Sequence, residues 1–185
     1  MAHAETVLLV SIAGEAFDGP PAFEIAVGGK VIGSGVLSNA IETATDGRLF
    51  TKPRPNLYLE QFTFHIPDDQ ILPDKDISIA LANDKFANAG GAGEDGIRDR
   101  NLYVDYISVN GVEVNSAEMI LTHKGTIQLL DYQAGLMPIY EAGYLAVAKA
   151  PAGGWTSALQ SKSSAQSPKP ALASSMQLAL DGGQR

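Results

Sequence analysis

The sequence contains no cysteine, which removes disulfides, thiolate metal sites and cysteine nucleophiles from consideration. Bases are scarce. Thirteen Lys and Arg stand against 21 Asp and Glu, for a formal net charge of −8. Nucleic acid and anionic membrane surfaces both demand clustered cations, so neither is an expected partner. Long apolar runs are missing as well: no stretch approaches the roughly 18 residues of a membrane span, so no membrane insertion is expected. The start, MAHAETVLLVSIAGEAF, has no basic leader region and only a short apolar run from Val7 to Ala13. It reads as a first strand rather than a signal peptide. What remains is a chain of 185 residues, long enough for one medium domain with a real core and an appendage. Its acidity is left to serve cations, neutral ligands or solubility.

The charge is unevenly placed. Residues 1–114 carry 17 acids and 8 bases, whereas residues 115–185 carry 4 and 5. An acidic module over 1–114 is therefore expected, followed by something different. From Thr156 the chain reads TSALQSKSSAQSPKPALASS, too poor in apolar surface to offset ordering entropy. Residues 151–185 are read as a low-complexity linker or partly disordered tail, and the lone Trp155 beside Gly153-Gly154 is given no structured binding role.

Within the module the hydrophobic period is two. Thr6–Ile12, Phe23–Val27, Leu57–Ile66, Ile77–Ala82 and Leu102–Val109 read as strands bounded by Gly, Pro, Asn and Asp. Gly28-Gly29 and Asn110-Gly111 are hairpin signals, because such turns need positive φ at their centre. Phe62 and Phe64 are expected inward, with the register around Glu60 left ambiguous. No helical stripe is evident before residue 115. These patterns predict an all-β, antiparallel β-sandwich. Further candidates at Met119–Leu121, Thr126–Leu130 and Tyr144–Val147 fall in residues 115–150; either they complete the sandwich or they form a separate element.

One segment concentrates the polar chemistry: NDKFANAGGAGEDGIRDRNLYVD, from Asn83 to Asp105. It packs Asn83, Asp84, Asn88, Glu94, Asp95, Asp99 and Asn101 into a Gly-rich loop leading to a strand. Calcium, a hard cation, takes about 6–8 oxygen ligands from carboxylates, amides and loop carbonyls. Gly90, Gly91, Gly93 and Gly96 supply the backbone freedom to fold the loop around an ion. The plainer reading is a solvated acidic loop. In it Asp84 caps its own turn and Asp99 pairs with Arg98 or Arg100, although exposed pairs add only about 0–1 kcal/mol. Phe86 is equally a loop anchor or a platform for a ligand. Tyr103 is core or ligand-facing, and Asp105 is expected to face solvent or a loop donor. GGAGEDGIR also matches the calcium-binding nonapeptide of secreted repeat proteins, but a single copy cannot build a roll.

The string from Asn83 to Gly111, with its paired Asn83-Asp84, its Gly-rich loop, DRNLYVD and the closing Asn110-Gly111, resembles the calcium-dependent xylan-binding family of carbohydrate-binding modules. GEAFDGPPAFEIAVGGKVIGS is similar to the first hairpin of that family, so the resemblance spans about residues 6–114. It implies a jelly-roll sandwich with a loop-borne Ca2+ whose coordination shell is completed by vicinal sugar hydroxyls. Carried over by position, it implies Asp84 and Asp99 as the first metal ligands, then Asp95 with Glu94 as its rival, and the backbone carbonyl of Arg98. Asn83, Phe86, Asn88 and Asn101 are the implied sugar contacts. The chain departs from the family after Asp84, where Lys85-Phe86-Ala87-Asn88 replaces a Gly pair following an aromatic.

Enzyme readings find no support. His3, His65 and His123 are far apart and lack zinc spacing, and neither a nucleophile elbow nor a phosphate loop is present. The expectation is a non-catalytic, calcium-dependent binder of poly- or oligosaccharide, secreted or at the cell surface as part of a larger protein. The alternative is a structural or adhesive surface domain in which calcium only rigidifies a loop and the partner is a protein.

Overall fold

A computed structural model describes residues 5–67, 74–88, 97–129 and 135–155. Fourteen strands are described: β1 (Glu5–Ala16), β2 (Ala22–Val27), β3 (Lys30–Val36), β4 (Ile41–Glu42), β5 (Glu60–Pro67), β6 (Ile77–Leu81), β7 (Phe86–Asn88), β8 (Ile97–Asp99), β9 (Asn101–Val109), β10 (Val112–Asn115), β11 (Ile120–His123), β12 (Thr126–Ile127), β13 (Met137–Ile139) and β14 (Tyr144–Ala148). Two six-stranded sheets face each other. In the first, β9 and β1 form the centre; β10 and β13 flank β9, while β5 and β4 flank β1. The second runs β12-β11-β14-β6-β2-β3. All pairings are antiparallel except the short β1–β4 contact. The predicted antiparallel sandwich is therefore what the chain forms. No helix among the described residues is long and apolar enough to cross a membrane.

The period-two pattern does what such patterns do: alternate residues enter one shared core. Leu8, Val10, Ile12, Leu102 and Val104 come from the first sheet, and Phe23, Ile25, Ile77 and Ile79 from the second. Burying each such side chain contributes about 1.5–3 kcal/mol. Both hairpin signals hold, with positive φ at Gly28, Gly29, Asn110 and Gly111. Asn110 also accepts the Val7 N–H through Oδ1 at 2.7 Å, which locks the turn to β1. The register of β1 against β9 shifts between Ser11 and Ile12, leaving Asp105 as the extra residue of a bulge. Its carboxylate is met by the Ser11 hydroxyl at 3.0 Å.

The register around Glu60 also resolves. Phe62 and Phe64 turn inward and meet the Phe23 ring edge-on at 4.8 and 6.3 Å, while Glu60 caps the Ser38 and Asn39 amides. Opposite them, β3 carries glycine where a side chain has no room. A Cβ at Gly35 would lie 2.6 Å from the Phe23 ring, and one at Gly33 would lie 2.7 Å from Phe64. Gly35→Val is expected to destabilise by about 1–3 kcal/mol through overpacking, seen as a lower melting temperature.

The strands left open after residue 114 lie inside the sandwich. β14 sits between β6 and β11 in the second sheet, and β13 extends the first, with Pro138 tolerated on an edge strand. Burial continues to Trp155, which is 2% exposed and donates its indole N–H to the Lys75 carbonyl at 2.9 Å. The tail reading thus fails at its first residues, and Trp155 is a core side chain. Asp76 straps the same segment down through Lys149 at 2.7 Å and the Ala150 N–H at 3.0 Å. Burial works against its ionisation, yet these bonds and the charges of Lys149 and Lys75 win and hold its carboxyl below the ordinary value. The remainder of the expected tail, residues 156–185, lies outside the described residues.

Local sequence explains one further departure. Leu57 and Tyr58, expected in a strand, form a 3-10 turn, Pro55–Tyr58, opened by a proline whose fixed φ suits a first helical position. With the one-turn helix α1 (Thr43–Asp46) and the turn Leu49–Thr51, it covers the outer face of the first sheet at one end. Beneath lies a second, smaller cluster of Ala13, Ile41, Leu49, Tyr103 and Leu136. Tyr103 is therefore core.

Candidate functional site

β7 and β8 form a small separate hairpin, pairing Phe86 with Asp99, Ala87 with Arg98 and Asn88 with Ile97. That register brings the two ends of the polar segment together. The Arg100 N–H donates to the Lys85 carbonyl at 2.9 Å, so Asp84 and Asp99 stand one residue from the same bond at the base of the hairpin. Asp84 is close enough that its charge raises the Asp99 pKa. Glu94 and Asp95 lie outside the described residues.

Arg100 organises the base. Its guanidinium is buried and donates to the carbonyls of Phe17, Asp18, Gly19 and Asn83. Five donors in a rigid fork suit one side chain to gather several carbonyls. Asp18 in turn pairs with Lys85, whose hydrogen bond and charge hold its carboxyl low. Asn83 is used up by the frame: Oδ1 accepts the Ala22 N–H at 2.7 Å and Nδ2 donates to the Pro20 carbonyl at 3.1 Å. Asp84 is exposed and accepts the Ala142 N–H at 3.1 Å through one oxygen.

Asp99 is buried. Burial is the largest influence on its carboxyl and pushes the pKa up. The Asn101 hydrogen bond and the Arg48 charge oppose this, while Asp84 and Glu15 reinforce it; the net direction is upward. Glu15 is wholly buried on the outward face of β1. It accepts Arg48 Nε at 2.9–3.0 Å and the Leu49 N–H at 2.6 Å. Burial alone would lower the Arg48 pKa, but Glu15 and the Tyr103 hydroxyl at 3.4 Å outweigh it and raise it. Arg48 thus pairs directly with Glu15 and acts on Asp99 through its charge.

Asn101 lies at the centre with no exposed surface. Its Nδ2 donates to Glu15 at 2.7 Å and to Asp99 at 3.0 Å, which fixes the amide orientation. Its Oδ1 is buried and has no partner. An unpaired buried acceptor costs about 1–3 kcal/mol. Of the other expected contacts, Phe86 is 60% exposed. Arg98 lies on β8 with an exposed side chain, and Asn88 lies on β7. Among the described residues, no three His, Asp or Glu form a metal-holding group. The carboxylate oxygens gathered here and the orphaned acceptor beside them are nonetheless the donor type that fits a hard divalent ion.

A family model described as Ca-dependent carbohydrate-binding module, xylan-binding (CBM60), matches residues 7–122. The chain belongs to this family. The CBM60 match runs past residue 114, in agreement with the strands that continue the sandwich beyond it. Membership supports carbohydrate binding; the family is described as Ca-dependent, and carbohydrate-binding modules are a class of non-catalytic binders. Two solved structures resemble it weakly. One is the selenomethionine form of vCBM60, at 16% identity over 76% of this chain and 88% of that chain, TM-score 0.41. The other is vCBM60 in complex with galactobiose, at 15% identity over 76% and 94%, TM-score 0.38. No curated protein matches.

The sequence reading passed over Glu15, Arg48 and the hub role of Arg100. Glu15 did leave a trace, as the one acid in Ser11-Ile12-Ala13-Gly14-Glu15-Ala16, in phase with Ala13. Arg48, 33 residues further on, carried no such mark.

Proposed function

We propose that this module binds polysaccharide without catalysis, through a calcium ion held by Asp84 and Asp99 that keeps a face open to sugar. Asp95, Glu94 and the Arg98 carbonyl are the further ligands proposed from the same hairpin. The observation that carries the reading is the buried Asp99 carboxyl, set among Glu15 and Asp84 with its pKa raised and an orphaned Asn101 oxygen beside it. Such a group favours whatever brings positive charge. A bound calcium supplies a centre whose water ligands exchange for adjacent sugar hydroxyls, selecting diols of suitable geometry.

The chain's own residues do the rest. Asn101 orients Asp99 and Glu15 by bridging them, and Arg48 holds Glu15 in place through its ion pair. Arg100 fixes the backbone on either side of Asp84, bonding the Asn83 and Lys85 carbonyls, and Asn83 anchors to the Pro20 carbonyl. Phe86, exposed beside Asp99, offers a face to a sugar ring. Asn83 and Asn101 act through this frame rather than by touching sugar. The family description points to xylan as the first ligand to try, and that partner class fits a secreted or surface setting.

Titration with xylo-oligosaccharides in calcium and in excess chelator tests the reading. Binding only with calcium is expected, with modest affinity because a shallow site buries little apolar area. A calcium-dependent rise in melting temperature with no glycan bound would favour the structural surface domain instead.

A further inference from the structure

Between Asp46 and Glu60 the chain carries Arg48, Lys52 and Arg54 and no acid, in a protein of net charge −8. This stretch encloses a groove of about 270 Å³ lined by Lys52, Pro53, Arg54, Leu57 and Tyr58. The floor is held firmly. Tyr58 packs on the second cluster, and the turn is closed by the Leu57 N–H on the Arg54 carbonyl at 3.1 Å. Pro53 and Pro55 restrict the backbone further. Neither cation in the lining has an acid partner among the described residues. Lys52 donates to the Asp46 backbone carbonyl, and the exposed Arg54 side chain meets no carboxylate.

We propose that this groove is a second glycan contact, which binds a carboxylate-bearing sugar: a uronosyl unit on an otherwise neutral polysaccharide. The inference rests on the glycan reading of the module, which supplies the class of polymer. The guanidinium fork of Arg54 matches a carboxylate with two parallel bonds. Leu57, Pro53 and Tyr58 offer the apolar surface that the C–H face of a sugar ring requires. A dense polyanion is disfavoured, because two cations neutralise two charges and the rest of the acidic surface repels the remainder. Sparse carboxylates suit the groove. The same stretch is tied toward the first site, since its Arg48 pairs with Glu15, which shares the Asn101 amide with Asp99.

The test is an NMR shift titration of the 185-residue chain in excess chelator, with sodium glucuronate and with glucose as ligands. Glucuronate is expected to shift the amides of residues 52–58 with roughly millimolar affinity, and glucose to leave them unmoved. Arg54→Gln, at an exposed position, should keep the melting temperature and weaken glucuronate at least about fivefold, or ~1 kcal/mol. With calcium present, uronosyl-substituted xylo-oligosaccharides should bind about fivefold more tightly than neutral ones, and Arg54→Gln should erase that preference. Unmoved amides, or equal glucuronate affinity in the variant, overturns the inference. Because the first arm excludes calcium, a response there alongside failed oligosaccharide binding would remove only the calcium reading.

Discussion

Asp99→Ala is expected to erase the calcium-dependent part of both stability and glycan binding. A ligand at one hundred times its Kd stabilises a fold by about 2.7 kcal/mol, roughly 5–10 °C in a domain of this size. That increment should vanish in the variant, while His65→Ala, on the exposed side of β5, retains it. The apo protein should behave oppositely. Removing Asp99 relieves the repulsion from Glu15 and Asp84, so melting in chelator should be unchanged or higher.

The pH dependence has a definite sign. Asp99 has a folded-state pKa above its ordinary value, so the apo fold gains from its protonated form below the unfolded pKa. It loses that gain as pH rises through the folded pKa. Calcium needs the ionised form, so its affinity should fall on acidification, starting above the usual carboxylate range. An Asp99→Ala protein with wild-type calcium affinity would remove this residue from the site.

The second large effect belongs to Arg48→Ala. Glu15 has no exposed surface, and its oxygens are held by Arg48, the Leu49 amide and Asn101. Taking away one member of a buried pair leaves the other charge stranded, at a cost of about 3–5 kcal/mol. Domains have only about 5–15 kcal/mol in total, so urea unfolding should shift substantially. Glu15→Gln combined with Arg48→Met should recover much of the loss, since neither charge is then left alone. A shift below about 1 kcal/mol for Arg48→Ala would place the pair in the weak class of surface bridges.

What the sequence showed and what it hid follow from the range of the interactions involved. Strand periodicity and turn chemistry are local, so Phe23–Val27, Gly28-Gly29 and Asn110-Gly111 could be read before any coordinates. The choice of Asp84 and Asp99 came instead from the family resemblance; that β7 pairs with β8 and brings both ends of the segment to one base carried no mark in the alternation. Glu15 and Arg48 belong to the same charge cluster but reach it from β1 and from a covering turn, and no period links them. Trp155 misled for the opposite reason. Its neighbours Gly153, Gly154 and the Ser-rich stretch beyond look like tail, while the Lys75 carbonyl that anchors it lies 80 residues away. Leu57 and Tyr58 kept the alternation of a strand but followed a proline, and the turn won.

The central claim is that carboxylates from the two ends of one hairpin share an ion that a sugar can touch. Anomalous diffraction from crystals grown with calcium and a xylo-oligosaccharide measures this directly. The expected result is one strong peak about 2.3–2.6 Å from carboxylate oxygens of both Asp84 and Asp99, with two adjacent sugar oxygens at similar range. A bound sugar with no peak between those residues, or a peak fully enclosed by protein oxygens, would contradict it.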